Sequence, residues 1–218
     1  LPFSVLSYHN DFMTEIRRAY VVGAYYAALT GAVTLAERIL NHLLLGLRDA
    51  YKGTPEYKSV AGKGQLDNWK KLVSTLDAWG VLQAGVAGKF RQLEGIRTDA
   101  VHWGRDGKID ARTKGLESIR VLQDIIEAQF GISGQPWFIT DVPGEMYLRR
   151  DAEKEPFVKM VYVPNGTLVG PRHRLEVDDQ MRFQIFDEAD YPSAEISDQE
   201  FARLRREARE EAAHNSAS

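Results

Sequence analysis

Apolar residues recur at helical spacing along most of the first 130 positions of the chain. Residues 10–51 contain no proline, and Asn10 or Asp11 is expected to cap a first helix. Gly23 divides this stretch, so a second, longer helix is expected to begin at Ala24. An apolar stripe predicts that the second helix forms the backbone of the core: Leu29, Val33, Ala36, Leu40 and Leu44.

Three more helices are predicted in the same part of the chain. Residues 52–64 contain three glycines and Pro55, which indicates a connecting loop. Apolar residues then repeat every three or four positions, which predicts helices at residues 66–79, 82–103 and 111–130. Asp110 is in position to cap the last of these helices, and Gly131 is in position to end it.

After Gly134 the pattern changes to short runs in which β-branched and aromatic residues alternate with polar ones. Strands are predicted at residues 137–140, 145–148, 157–163, 167–169 and 181–186, with a hairpin turn at Asn165-Gly166. Ser197 and Glu200 have the spacing of a capping box, which predicts a last, charged helix at residues 198–213.

These elements predict an α+β chain that is mainly α, in three parts. A helical domain at 8–133 is followed by a small antiparallel β-rich accessory region at 134–196 and a charged C-terminal helix and tail at 197–218. The β-rich region can pack on the helical domain, extend a dimer interface or dock a partner, and the sequence does not choose among these roles.

The composition of the chain excludes several kinds of functional site. The 218-residue chain is 44% apolar and 27% charged, as is typical of a globular protein. It contains no cysteine, which excludes disulfides, thiolate metal sites and a cysteine nucleophile. No apolar run approaches membrane-spanning length, and residues 1–7 lack the basic region and cleavage site of a signal peptide. We expect a cytoplasmic protein without membrane contact, whose natural start is not Leu1.

The net charge of −3 conceals an asymmetry along the chain. Residues 1–134 have 17 basic and 14 acidic side chains, whereas residues 135–218 have 11 basic and 17 acidic side chains. A mildly basic first part is compatible with a nucleic-acid partner but does not require one, because dedicated duplex-binding domains are far more basic.

One group of residues near the end of the fourth predicted helix has the chemistry of an active site. Arg97 and His102 are separated by four residues. This spacing resembles the Arg-x4-His motif of the HEPN domains, small helical bundles found in toxin–antitoxin, phage-defence and RNA-processing proteins. The preceding helix pair is also similar, with residues 17–25 leading to an acidic residue, Glu37, in the second helix. The resemblance covers about residues 10–130.

The resemblance implies a metal-independent endoribonuclease that acts as a toxin or phage-defence effector. The 2′-hydroxyl of RNA would be the nucleophile, with His102 as general acid or base and Arg97 as the phosphate-binding cation. Thr98, Asp99 and Glu37 are expected to support them. Histidine titrates near neutrality, and a guanidinium makes bidentate contacts with phosphate oxygens. We expect no metal and no cofactor, and as partners an RNA substrate and an antitoxin or regulatory protein.

The geometry of one helix also predicts how the chain assembles. Five residues turn about 500° along a helix, which leaves Arg97 and His102 roughly 140° apart around its axis. HEPN domains solve this by pairing two protomers whose motifs face each other, so the resemblance implies a homodimer with a composite site. Thr98 departs from the family pattern, since many active members have Asn, Asp or His there.

Two other interpretations remain open at this point. One is a noncatalytic HEPN-like module that binds RNA or protein, and the other is a helical scaffold with a regulatory β-rich segment. In both, Arg97 would pair with Glu94 one turn back, and His102 would interact with the helix dipole.

Simpler roles are expected for the remaining candidates. We expect His42 to be a partly buried structural histidine, His9 to belong to the cap of the first helix, Arg172-His173-Arg174 to form a solvated loop and Gly62-Lys63-Gly64 to be a flexible linker.

Overall fold

The computed structural model shows a mainly helical chain with small antiparallel β elements. It describes residues 3–101, 110–132, 134–142, 147–166, 173–177, 179, 183–187 and 196–216. The chain forms two compact units, one comprising Leu1–Gln135 with Pro156–Gly166 and the other Pro136–Glu155 with Thr167–Ser218. The division predicted from the sequence, 8–133, 134–196 and 197–218, stays a prediction.

The first unit is helical. Its helices are α1 (Ser7–Val21), α2 (Tyr25–Leu47), α3 (Tyr57–Val60), α4 (Trp69–Ala78), α5 (Val86–Val101) and α6 (Ala111–Phe130). A 3₁₀ turn, Arg48–Tyr51, follows α2, and a π-helical turn, Val158–Tyr162, leads into a short α7 (Val163–Asn165). Helix α2 is buried along its length and packs against α1, α4, α5 and α6. The prediction of a helical bundle with the second helix at its centre is therefore confirmed.

Local sequence signals explain several helix ends. Gly23 separates α1 from α2 at a φ of +86°, a left-handed conformation that glycine adopts without strain. Asp110 caps α6, where its carboxylate accepts a hydrogen bond of 3.0 Å from the Thr113 backbone N–H, as predicted. Asn68 caps α4 in the same way, accepting from the backbone N–H of Lys71. Helix α4 therefore begins three residues later than the apolar pattern suggested.

The predicted start of the first helix is wrong. Helix α1 begins at Ser7, and the side chain of Asn10 bonds both the N–H and the C=O of Ser4 at 3.0 and 2.9 Å. The segment before α1 is anchored by the Val5 N–H, which donates to the Phe130 carbonyl. This long-range anchor permits the helix to start early, and Asn10 fastens the entering chain instead of capping a helix.

The strand predicted at residues 157–163 is also wrong, since these residues belong to the π-helical turn and the start of α7. Phe157, Val158 and Tyr162 are buried, and Phe157 lies five residues before Tyr162, which is the hydrogen-bond spacing of a π-helix. The hairpin turn predicted at Asn165-Gly166 is wrong as well. Asn165 ends α7, and Gly166 has a φ of −93°, whereas a two-residue hairpin of this type needs positive φ.

The second unit contains two antiparallel pairs of strands and a helix. Strand β1 (Phe138–Ile139) pairs with β2 (Tyr147–Leu148), β3 (His173–Val177) pairs with β4 (Phe183–Asp187), and α8 spans Asp198–Ser216. Three predicted strands are confirmed where the structure describes them, and the predicted strand at 167–169 lies outside the described residues. The backbone of His173 and Arg174 begins β3, so the predicted loop there is wrong.

Helix α8 begins as predicted. The Ser197 hydroxyl accepts a hydrogen bond of 3.2 Å from the backbone N–H of Glu200. The inner side of α8 packs in a small hydrophobic cluster with β1, β2 and the segment between these strands: Ile139, Val142, Tyr147, Phe201 and Ala202.

His9 is buried near the start of α1 and does not cap it. Its Nδ1 lies 2.9 Å from the Ser4 hydroxyl, and its ring packs edge-on against Phe130 with the centroids 4.7 Å apart. Burial first, and then the nearby His42, lowers the pKa of His9 from 6.5 to about 3. The folded protein therefore holds His9 neutral in mildly acidic solution.

The first prediction concerns acid stability. Between a pKa of 6.5 in the unfolded chain and about 3 in the folded protein, only the unfolded chain binds a proton at His9. The contribution of neutral His9 to the free energy of unfolding is therefore fully present above pH 6.5. It decreases as the pH falls, by about 2 kcal/mol at pH 5. We expect His9→Gln to flatten the change in free energy of unfolding between pH 7 and pH 5, measured by urea denaturation.

The matched control is His214→Gln, which changes an exposed histidine on α8. This variant also removes a histidine, and its loss of stability between pH 7 and pH 5 should be steeper than that of His9→Gln. An equally steep loss of stability in His9→Gln would contradict the assignment of this effect to His9.

Candidate functional site

Arg97 lies at the edge of the helical core. The inner side of α5 is formed by Phe90, Leu93 and Ile96, which are buried. Arg97 follows directly after Ile96, and its side chain is 38% exposed. The packing of α5 therefore fixes the backbone of Arg97 while its guanidinium stays accessible to solvent.

Two residues from other helices hold the Arg97 guanidinium. Its Nη2 lies 3.8 Å from Oε2 of Glu37 on α2, and its central carbon lies 6.0 Å from the centre of the Trp69 ring at the start of α4. An arginine at this distance over an indole face has a favourable cation–π interaction. The ion-pair partner of Arg97 is thus Glu37, not Glu94 as the two noncatalytic interpretations supposed.

Trp69 is a rigid support for this arrangement. It is 2% exposed, and its indole N–H donates a 2.9 Å hydrogen bond to the Phe90 carbonyl in α5. The sequence placed Trp69 on the apolar face of its helix but did not assign it to the site. The residue type could have indicated this role, because a tryptophan on an apolar helix face buries its ring and still needs a hydrogen-bond partner for its indole N–H.

Asn41 is a second positioning residue that sequence reasoning missed. It lies one turn after Glu37 on α2, and its amide bonds both the C=O and the N–H of Leu66 at 3.0 Å. Leu66 precedes α4, so Asn41 ties the chain that leads to Trp69 to the helix that bears Glu37. A polar residue within the long apolar run of α2 was the signal in the sequence.

Thr98 and Asp99 do not join the pair of Arg97 and Glu37. The Thr98 hydroxyl donates 2.9 Å to the Glu94 carbonyl in its own helix. The Asp99 carboxylate lies 3.5 Å from the Lys114 ammonium on α6. Of the three residues expected to support Arg97, the structure thus brings only Glu37 to it.

His102 lies outside the described residues, so its geometry relative to Arg97 stays a prediction.

His42 belongs to a separate aromatic group on α1 and α2. Its Nδ1 lies 2.8 Å from the Tyr8 hydroxyl, and the Arg38 guanidinium lies 5.3 Å from the ring centres of both Tyr8 and Phe12. Partial burial first, and then Arg38, lowers the pKa of His42. His42 is more exposed to solvent than expected, and it contacts Tyr8 instead of Arg97 or Glu37.

Two features are absent from the described part of the chain. Within it, no group of three or more histidine or acidic side chains is arranged to hold a metal ion. Among the helices described there, none is long and apolar enough to cross a membrane. The Arg97 guanidinium offers N–H donors and a fixed charge, which suits the binding of an oxyanion such as phosphate.

The second prediction separates support of the site from support of the fold. Glu37→Gln should lower the free energy of unfolding by less than about 1 kcal/mol, because a partly exposed pair at this distance contributes little. Asn41→Ala should cost more, about 1–3 kcal/mol for each buried backbone group of Leu66 that loses its partner. Urea denaturation of both variants measures the difference. A larger loss in Glu37→Gln than in Asn41→Ala would show that the ion pair holds the fold together.

Comparisons of the chain with protein-family models, with curated proteins and with solved structures find no match.

Proposed function

We propose that the helical unit is a HEPN-type endoribonuclease that acts without a metal ion, with Arg97 as the phosphate-binding cation and His102 as general acid or base. The observation that supports this most directly is the contact of Arg97 with Glu37. The family resemblance singled out these two residues, and they come from different helices. A half-exposed guanidinium held between a carboxylate and an indole is suited to receive a phosphate.

The proposed reaction uses the substrate's own nucleophile. The 2′-oxygen loses its proton to an imidazole and attacks the adjacent phosphorus, and the bond to the 5′-oxygen of the next nucleotide breaks. A protonated imidazole supplies the proton for that leaving oxygen. The products are a 2′,3′-cyclic phosphate and a 5′-hydroxyl. Arg97 stabilises the charge that gathers on the phosphate oxygens, and Glu37 orients the guanidinium.

One imidazole cannot be base and acid in the same step. We therefore include a homodimer in the proposal, in which His102 of each protomer serves one of these roles. The separation of Arg97 and His102 around their helix favours the same arrangement, because one copy would not direct both at one phosphate.

A ribonuclease inside a cell requires restraint, so the proposed biological role is that of a toxin or phage-defence effector controlled by an antitoxin or regulatory protein. The alternative is a noncatalytic HEPN-like module that binds RNA or protein. The contacts of Thr98 and Asp99 favour this alternative, since neither residue supports Arg97 as the motif predicts.

The third prediction tests catalysis. The protein should cleave a mixed pool of RNA in EDTA, leave DNA intact and produce 2′,3′-cyclic ends. His102→Ala should slow cleavage by about 100- to 10,000-fold with RNA affinity nearly unchanged. Arg97→Lys should also slow cleavage strongly, because the lysine ammonium keeps the positive charge but cannot make the planar bidentate contact with phosphate.

Thermal melts control for misfolding, and both variants should unfold as the wild type does. Cleavage that requires magnesium, or wild-type rates in both variants, would contradict the proposed mechanism. Wild-type RNA binding with no cleavage by any form of the protein would favour the noncatalytic alternative.

The fourth prediction concerns assembly. The chain should be a homodimer at micromolar concentration by light scattering. Mixing the wild type with an excess of His102→Ala should lower the activity of each wild-type chain, because mixed dimers have only one of the two histidines that the composite site requires. A strict monomer with full ribonuclease activity would contradict the composite site.

A further inference from the structure

A basic groove lies between α4 and α5 in the helical unit. Its volume is about 590 Å³, and it is lined by Asn68, Lys70, Lys71, Ser74, Arg91 and Glu94. Three of these side chains are cations and only one is a carboxylate. All six lining residues are polar or charged, and none is aromatic.

The three cations differ in how the fold uses them. The Lys71 ammonium donates 3.1 Å to the Ser59 carbonyl, which gives this residue a structural role. Arg91 pairs with Asp77 at 2.9 Å through one nitrogen, and a guanidinium has five N–H donors. Lys70 is exposed and forms no ion pair within the described part of the chain. Arg91 and Lys70 therefore retain donors for a bound anion.

The position of Lys70 disfavours a purely structural role. It lies in the first turn of α4, where the helix dipole disfavours a cation, and that turn contains no acidic residue. An acidic side chain would suit the helix better. Residues that break a local rule of this kind are expected at functional sites.

The groove adjoins the candidate site. Glu94, in the groove lining, precedes Arg97 by three residues on α5, which is about 4.5 Å of helical rise. Trp69, which lies beneath the Arg97 guanidinium, directly precedes Lys70 on α4. A chain of phosphates bound at Arg97 would therefore continue into the groove.

We propose that this groove binds the phosphate backbone of the RNA strand next to the bond that is cleaved. The inference rests on the proposed function, and it names how the substrate is held. A polar lining without exposed aromatic rings offers no platform on which bases stack, so the groove binds backbone without reading sequence. Binding depends on salt, because each neutralised phosphate releases counterions.

The test uses the full chain and a fluorescein-labelled, single-stranded RNA of mixed sequence, 2′-O-methylated so that it cannot be cleaved. Fluorescence anisotropy gives the Kd. Lys70→Glu should raise the Kd by about tenfold and reduce the salt dependence by about one phosphate equivalent, roughly 0.7 in the logarithmic slope. Its Tm should be equal to or higher than that of the wild type, because an acid suits the first turn of α4.

Arg120→Glu is the matched control. It reverses an exposed charge on α6, outside the groove, and changes the net charge by the same amount. It should leave the Kd within about twofold of wild type. An equal loss of RNA affinity in both variants would show that only the net charge of the protein matters. An unchanged Kd in Lys70→Glu would show that the groove does not bind RNA. Either result overturns the proposal.

RNA binding by the groove and RNA cleavage can be tested separately. RNA binding that depends on Lys70, in a protein that cleaves no RNA, would support the groove and contradict the ribonuclease. With cleavable RNA, Lys70→Glu should raise KM for long substrates more than it raises KM for a dinucleotide. Cleavage of long RNA with wild-type KM in Lys70→Glu would overturn the groove and leave the ribonuclease intact.

Discussion

The burial of α2 is the constraint on which the helical unit depends. Its buried residues point to several sides of the helix, so α1, α4, α5 and α6 are needed to remove them from water. Burying each large apolar side chain contributes about 1.5–3 kcal/mol, more than an exposed ion pair does. Polar contacts at the margin of α2 therefore need not hold the bundle together. They are free to orient side chains, and Glu37 is the clearest example.

The contact between Arg97 and Glu37 follows from this packing. Helices α4 and α5 both pack on α2, and the start of α4 meets the first half of α5 where the Trp69 indole N–H donates to the Phe90 carbonyl. The same crossing presents Lys70 and Arg91 to one groove. The two proposed sites thus share a single structural cause, and Asn41 stabilises it by anchoring Leu66 before α4.

The sequence predicted what depends on periodicity and local capping, and it failed where long-range contacts decide. Asp110 and Ser197 cap their helices as expected, because a cap bonds to residues only three positions away. The residues from Phe157 to Tyr162 have a composition typical of a strand, yet their burial against the helical unit selects a π-helical turn. Glu37 was assigned to the site by resemblance alone. Lys70 and Asn41 belong to no motif, so only the packing of α4 identifies them.

The weakness of the contact between Arg97 and Glu37 is an advantage for the proposed chemistry. A guanidinium buried in a tight bidentate pair would have its donors occupied, and a phosphate would have to displace a carboxylate from a dry site. At 3.8 Å and with Arg97 38% exposed, Glu37 orients the guanidinium without engaging all its donors. The Trp69 face restricts the guanidinium from below without using any hydrogen bond. The arginine is thus held in place while its N–H groups remain available, which is what the binding of a crowded phosphate requires.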